Sequence, residues 1–304
     1  MRRIWLFIPV LLIIALGATF LAYNSLKYAC SRSEYTNYTA RRMKGYQRFK
    51  KHNPQEIILE TEDGLKLSAF LVVRPQAKRV FLICHGRWQA KEIMSPFADM
   101  FADDTLLFID FRAHGSSEGQ YSSFGYHEVK DVRAAVRFLV CNDKTHGLPI
   151  YGLGLSMGSV ALIGAAQQGC PFAGLILDSG FSSLSKQLDR ALRKKVFLPV
   201  SFRWLAHGLY KRLMSESVDQ VVPSDLMAKI KIPVFIIHSE QDRVVPVLDA
   251  YDLYDQAAGI KKIWIVPEGR HVRTHKKRPG EYKQKVMDFI QSFEIPRGMR
   301  VGVA

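Results

Sequence analysis

The chain has 304 residues, 48% hydrophobic and 23% charged, which excludes a disordered polymer, a collagen and a coiled-coil rod. Its 43 Lys and Arg against 28 Asp and Glu leave a net charge of +15. Such a surplus suits anionic partners, whether nucleic acid, acidic lipid or acidic substrate, and the location of the charge has to choose among them. The four cysteines, Cys30, Cys84, Cys141 and Cys170, form no CxxC pair. That argues against a zinc ribbon or a thioredoxin-like site and for free thiols.

The N-terminus carries the first strong signal. Met-Arg-Arg precedes Ile4 to Tyr23, twenty residues without a charge, and a helix of that length spans a bilayer core. Ala15-Leu16-Gly17 offers small residues for signal-peptide cleavage, yet the apolar run continues to Leu21. Residues 1–25 are therefore expected to form a single-pass membrane anchor. Arg2 and Arg3 precede it while Lys27, Arg32, Arg41 and Arg42 follow it, so the flanking charges give opposing votes on orientation. Residues 26–54 read as a basic juxtamembrane stalk with interleaved tyrosines. Attraction to anionic headgroups is its simplest role, and no base-stacking fold supports a nucleic-acid partner.

From residue 55 the pattern becomes regular. Glu56–Glu60 and Leu65–Val73 around Glu62-Asp63-Gly64 read as a β-hairpin. Strands are expected at Arg79–Cys84, Thr105–Asp110, Pro149–Leu153, Ala173–Asp178, Pro233–Ser239 and Lys262–Val266. Helical spacing covers Ala90–Ala102, Glu128–Val140, Met157–Gln168, Leu248–Ala257 and Glu281–Phe293. Alternation of strand and helix implies an α/β fold, a mostly parallel central sheet with helices on both faces. Phe181 to Lys231 contains no convincing strand and reads as a small helical cap inserted over the strand ends. Residues 55–294 form the expected catalytic domain, with 181–231 as the cap, and 295–304 as a loose tail.

Gly154-Leu155-Ser156-Met157-Gly158 fits G-x-S-x-G, with an apolar strand before it and a helix after it. The strained turn exposes the serine hydroxyl, and the following helix points its positive end at the site. A serine needs a base, and the base a carboxylate. His271, in Glu268-Gly269-Arg270-His271 after the last strand, is the expected base. Asp242, in Asp242-Arg243-Val244-Val245-Pro246, is the expected acid. His275, His238, Glu240 and Asp178 are their rivals. The amide of Met157 and that of Arg87, in the loop after Cys84-His85-Gly86, are the expected oxyanion donors. His85 reads as a brace for that loop. Asp110-Phe111-Arg112-Ala113-His114-Gly115-Ser116-Ser117-Glu118-Gly119 reads as scaffold rather than metal site.

Taken together, these motifs make Glu56 to Phe293 resemble the α/β-hydrolase superfamily, and within it membrane-anchored hydrolases of the serine aminopeptidase-like, alpha/beta hydrolase domain-containing group. The resemblance implies Ser156, Asp242 and His271 as the triad, Arg87 and Met157 as oxyanion donors, and a helical cap. The implied activity is hydrolysis of an ester or thioester of an acyl, lipid-like small molecule, with no metal or organic cofactor. A peptidase or amidase, or a non-catalytic binding protein, are the alternatives. Two departures stand out: Ala113 and His114 stand within the usual Arg-Gly-x-Gly, where family members often carry a further glycine, and Arg87 is bulky enough to narrow the cleft. The resemblance also sets the helices before and after the nucleophile strand side by side, which makes a Cys141–Cys170 disulfide conceivable.

Overall fold

A computed structural model of the protein describes residues 39–195 and 203–293, with scattered positions between 17 and 31. The anchor expected over Ile4–Tyr23 falls almost wholly outside these residues, as does the expected tail. No helix among the described residues is long and apolar enough to cross a membrane.

Eight strands form one sheet in the order β1-β2-β4-β3-β5-β6-β7-β8. β1 (Gln55–Glu60) and β2 (Lys66–Val72) make the expected antiparallel hairpin. β2 pairs antiparallel with β4 (Thr105–Ile109), and every later pairing is parallel. β3 (Val80–Cys84), β5 (Ile150–Leu155) and β6 (Phe172–Asp178) occupy the centre, followed by β7 (Val234–Ser239) and β8 (Lys261–Val266). β3, β4 and β5 are buried at every position. That is why they read as unbroken apolar runs rather than alternating ones.

Helix α1 (Thr39–Lys50) precedes the sheet. After β3 comes a 3₁₀ turn (Lys91–Met94) and then α2 (Pro96–Met100). The helical spacing over Ala90–Ala102 suggested one helix; Pro96, which lacks an N–H, instead opens a new one at its first turn. α3 (Glu128–Cys141), α4 (Met157–Gln167) and, later, α7 (Pro223–Met227) and α8 (Val247–Gln256) cover one face through residues such as Val132, Leu139, Leu162 and Leu253. α1, α2 and the last helices, α9 (Thr274–Lys277) and α10 (Pro279–Gln291), cover the other through Phe49, Phe97, Phe101, Tyr282 and Phe289. The segment from 181 to 231 contains no strand among its described residues. It holds α5 (Leu184–Lys195), α6 (Arg203–Met214), a 3₁₀ turn and α7. Phe181, Leu184, Tyr210, Met214 and Val221 pack there with Val160 of the helix after Ser156 and with Leu26 and Cys30.

Helix α1 departs from the picture of a stalk. Phe49 is fully buried and lies edge-on to Phe70 and Phe108, at centroid distances of 5.2 and 4.8 Å. Gly45 is buried against the backbone of Glu92, where any Cβ would collide with the carbonyl. Arg42 closes the contact through an ion pair with Glu92 at 2.7 Å. Mid-helix glycine therefore marks a close approach of two backbones.

The implied disulfide is absent. All four cysteines are free, with Cys141 exposed and Cys170 half-buried. α3 and α4 do lie together, and Val129 fills the space that a side chain at Gly164 would need. Cys170 packs against the core while Cys141 faces solvent, so their adjacency in the fold does not bring the thiols together.

His275, a rival base in the sequence, belongs to the core. It is buried between Phe97 and Tyr282, at centroid distances of 4.8 and 6.1 Å, and neither ring nitrogen finds a hydrogen-bond partner. Burial, then the charges of Lys276 and Arg273, push its pKa down to about 3.

Two expectations follow. Gly45→Ala should lower stability by about 1–3 kcal/mol through overpacking, although alanine is the better helix former by about 1 kcal/mol; a urea melt showing a gain would contradict the close approach. The unfolded chain binds a proton at His275 near pH 6.5 and the folded one only near 3, so stability is lost as pH falls below about 6.5. His275→Phe should therefore lose about 2 kcal/mol less than the parent between pH 7 and pH 5. Equal losses in denaturant titrations would mean that the folded state protonates His275 readily.

Candidate active site

Ser156 sits between the end of β5 and the first residue of α4, with φ 53° and ψ −114°. Positive φ is costly for a residue with a Cβ and persists only where the surroundings impose it. The flanking glycines show what imposes it. A side chain at Gly158 would strike the carbonyls of Cys84 and His85, and one at Gly154 would strike the backbone of Gly158 and Ser159. The chain can thus turn sharply enough to press α4 against the end of β3. Ser156 N donates to the Asp178 carbonyl at 2.8 Å, and Ser159 Oγ donates to the Gly154 carbonyl at 2.7 Å.

The structure brings Asp242 and His271 to this turn. His271 Nε2 lies 2.9 Å from Ser156 Oγ, and His271 Nδ1 lies 2.6 Å from Asp242 Oδ2. With Nδ1–H donating to the carboxylate, Nε2 is left as the acceptor facing the serine hydroxyl. Asp242 Oδ1 accepts from the amides of Val244 at 2.8 Å and Val245 at 3.0 Å. Burial opposes charge on Asp242, but the bond from His271 and these two amides outweigh it and hold the carboxyl below its usual range. His271 is followed by Val272 at φ 49°, a rare conformation for a β-branched residue. The Val272 amide donates to Ser179 Oγ at 3.3 Å.

The rivals are placed otherwise. Asp178 is fully buried at the end of β6; Ser179 Oγ donates to its Oδ1 at 2.9 Å, and its Oδ2 has no hydrogen-bond partner. Burial pushes its carboxyl up to about 7, which disfavours the charged form that an orienting carboxylate must hold. His238 is buried behind Asp242, with Nε2 2.9 Å from the Val245 carbonyl and 3.5 Å from Asp242 Oδ2. Burial pushes its pKa down. It supports the acid loop from behind. Glu240 shares the β7–α8 loop with Asp242, but it is exposed to solvent.

The loop after β3 passes directly beside Ser156. A Cβ built on Gly86 would lie 3.3 Å from that of Ser156 and 3.2 Å from the Leu155 carbonyl. His85 braces this loop as expected: its Nδ1 lies 2.8 Å from the Gly86 carbonyl, and its Nε2 accepts from Phe111 N at 3.1 Å. Gln89 Oε1 accepts from Gly86 N at 3.1 Å, and Trp88 stands at φ 59°. The Arg87 side chain reaches toward His114 Nε2 at 2.6 Å and the Ser31 carbonyl at 2.7 Å, across the faces of Trp88 and Phe124. Burial lowers its pKa to about 10. Its bulk thus ties the N-terminal segment to the loop. Met157 is the first residue of α4, where a backbone N–H has no acceptor within the helix.

The polar turn after β4 is a framework of charge pairs. Asp110 accepts from Lys91 Nζ and Lys91 N, each at 2.7 Å, and from Ser116 N at 2.9 Å. Arg112 pairs with Asp131 at 2.7 Å and Asp63 at 2.9 Å. Ala113, at the position where glycine is usual in the resembled family, takes φ 57°; the backbone keeps the glycine-like turn despite the methyl. No cluster of potential metal ligands exists among the described residues.

Trp88, Gln89 and the residues of α1 escaped the reading of the sequence. Together with His271 and the segment after it they line a cavity of about 990 Å³. Gly45, isolated in a helical run four residues before Phe49, was the available signal that α1 docks rather than dangles.

A family model described as "Alpha/beta hydrolase family" matches residues 80–282. Among curated proteins, the chain is 26% identical over 256 residues to the uncharacterized protein YqkD of Bacillus subtilis, covering 81% of this chain and 82% of that one. It is 25% identical over 254 residues to the alpha/beta hydrolase domain-containing protein WAV2 of Arabidopsis thaliana, covering 79% of each. Among solved structures, an esterase from Pyrococcus furiosus superposes with a TM-score of 0.67 at 25% identity, over 80% of this chain and 95% of that one. The family match spans β3 to β8, the serine turn and the histidine loop, and the chain belongs to the alpha/beta hydrolase family.

Proposed function

We propose that the protein is a serine hydrolase that cleaves carboxylic esters or thioesters of small acyl substrates through Ser156, His271 and Asp242. The observation that carries this reading is the unbroken path from Asp242 Oδ2 through both nitrogens of His271 to Ser156 Oγ, at 2.6 and 2.9 Å, on a serine held at positive φ. The esterase among the structural neighbours supports the substrate class.

His271 Nε2 takes the hydroxyl proton as Ser156 Oγ attacks the acyl carbonyl. Asp242 keeps the Nδ1 proton in place and stabilises the imidazolium that forms. The carbonyl oxygen becomes an oxyanion beside the amides of Met157 and Arg87, the first aided by the start of α4. Collapse expels the alcohol or thiol, which takes its proton from His271, and leaves an acyl-Ser156. Water then attacks with His271 again as base. Residues 4–23, uncharged throughout, support anchoring of this domain to a membrane by a single N-terminal helix.

A fluorophosphonate probe should label the protein, and Ser156→Ala should abolish both labelling and hydrolysis of 4-nitrophenyl esters. Persistent labelling of the folded variant would move the nucleophile elsewhere, and a parent that neither labels nor hydrolyses would favour a binding protein. His271→Ala and Asp242→Asn should each lower kcat by a factor on the order of 10⁴, while Asp178→Asn does far less. If Asp178→Asn proves the worse of the two acid variants, the acid assignment fails.

A further inference from the structure

The cavity beside His271 has a charge pattern that the triad does not account for. One wall is α1, contributing Arg41, Lys44 and Arg48; the facing wall is the segment after His271, contributing Arg273, Lys276 and Lys283. These two basic segments lie more than two hundred residues apart in the chain. A run of charge on one helix is ordinarily a solvated face, but here two runs converge on one trough. Among the described residues its only lining acids are Glu92 and Asp99. Glu92 is bound by Arg42 at 2.7 Å, Asp99 by Lys51 at 2.7 Å and by Arg48 of the wall itself at 3.0 Å, and Lys283 lies 4.0 Å from Asp103, so the trough keeps its positive charge chiefly through Lys44, Arg273 and Lys276.

The convergence is visible at Lys276. Partial burial, then the charges of Arg273, Arg41 and Arg48, hold its ammonium below the usual lysine range, although the side chain still reaches solvent. Cations drawn from both walls repel one another at that point, and an anion between them removes the repulsion. The walls are fixed in advance. Gly45 and Phe49 lock α1 onto the domain, while His275 and Tyr282 anchor the facing segment in the core. A volume of about 990 Å³ is at the upper end of the range for small-molecule sites.

We propose that this trough binds the phosphate or carboxylate group of the substrate, so that the protein acts preferentially on acyl esters carrying an anionic group. The proposal rests on the serine-hydrolase reading and names the substrate class of that site. The anion lies between α1 and the 273–283 segment while the ester carbonyl reaches Ser156 past His271. Such an ester can be a soluble metabolite or a lipid with an anionic headgroup, since both present the same group to the trough.

The test uses the full chain in neutral detergent and two esters of equal length, 4-nitrophenyl hydrogen suberate and 4-nitrophenyl octanoate. At low salt kcat/KM for the anionic ester should exceed that for the neutral one by about tenfold, the combined effect of a few partly exposed charges. The ratio should shrink as ionic strength rises and the Debye length falls to about 8 Å. Lys44→Glu and Lys276→Glu, one from each wall, should each bring the ratio close to one, whereas Lys229→Glu, on the surface before β7, should leave it as in the parent. A second readout needs no turnover. Octyl phosphate should bind Ser156→Ala protein in calorimetry, about tenfold more weakly once Lys276→Glu is added. Inorganic phosphate binding equally well would identify a free anion as the ligand, and octyl phosphate alone an amphiphile.

A neutral ester hydrolysed with no anionic preference would overturn the proposal and leave the serine-hydrolase reading intact. If neither ester is hydrolysed, that reading falls, and octyl phosphate binding still decides whether the trough takes an anion. If Lys276→Glu abolishes sedimentation with phosphatidylglycerol vesicles but alters neither the ester ratio nor octyl phosphate binding, the trough faces a membrane surface and the substrate proposal is wrong.

Discussion

The close approach of α4 to the end of β3 governs the rest of the site. Gly158 rests on the Cys84 and His85 carbonyls with no room for a side chain, and Gly154 lets the preceding strand pass under the same turn. Ser156 is forced to positive φ as a result. That strain lifts its hydroxyl out of the sheet, aims the start of α4 at the same spot and sets the Gly86 loop against the serine. Any residue but glycine at 158 would push the helix off the strand, and the hydroxyl, helix end and loop would move apart together. The cost of one unfavourable φ, on the order of 1–3 kcal/mol, is met by a fully buried sheet on either side.

The loops around this turn are held by buried charge more than by apolar contact. Glu128, at the first turn of α3, accepts from Ser122 Oγ, Ser123 N, Ser123 Oγ and Gly125 N. Burial opposes its ionisation, but these four donors together with Arg112 keep its carboxyl below the usual range. The loop it gathers touches Met157 Sδ through Ser122 Oγ and receives the Tyr210 hydroxyl on the Ser123 carbonyl at 2.8 Å. The helices inserted after β6 are therefore tied to α4 through Glu128. Lys91–Asp110 and Arg112–Asp131 fix the neighbouring turns in the same way. Removing one member of such a pair strands a buried charge, which costs more than the pair itself contributes.

Much of this was readable in the sequence because chemistry restricts the alphabet. G-x-S-x-G between a strand and a helix, a carboxylate after one late strand and a histidine after the next have few other uses. Fully buried parallel strands are equally plain as apolar runs. What escaped depends on three-dimensional partners. α1 looked like a stalk because its charges outnumber its apolar residues, and the one buried ring, Phe49, is a weak periodic signal. His275 resembled a second candidate base four residues from His271, and only its neighbours Phe97 and Tyr282 reveal a core residue. Helical spacing over Ala90–Ala102 runs across Pro96, and the spacing carries no sign that the proline opens a new helix. Cys141 ends one helix and Cys170 lies just past its neighbour, close to where the sequence reading put them, yet the direction of a thiol is not written in residue spacing.

The two sides of the triad differ in polarity, and that asymmetry gives the site a direction. Past Ser156 on one side lies the apolar cluster under the inserted helices, where Val160, Phe181, Leu184, Tyr210 and Val245 meet. Val245 itself donates to Asp242, so this cluster begins at the acid. On the other side His271 opens into the basic trough between α1 and α9. Under the proposed function, an ester carrying an anionic group has a favoured orientation across such a site, because reversing it would move the charge away from the cations of the trough. On that reading, binding energy gathered at the anionic end, remote from the reacting atoms, is available to hold the carbonyl over Ser156.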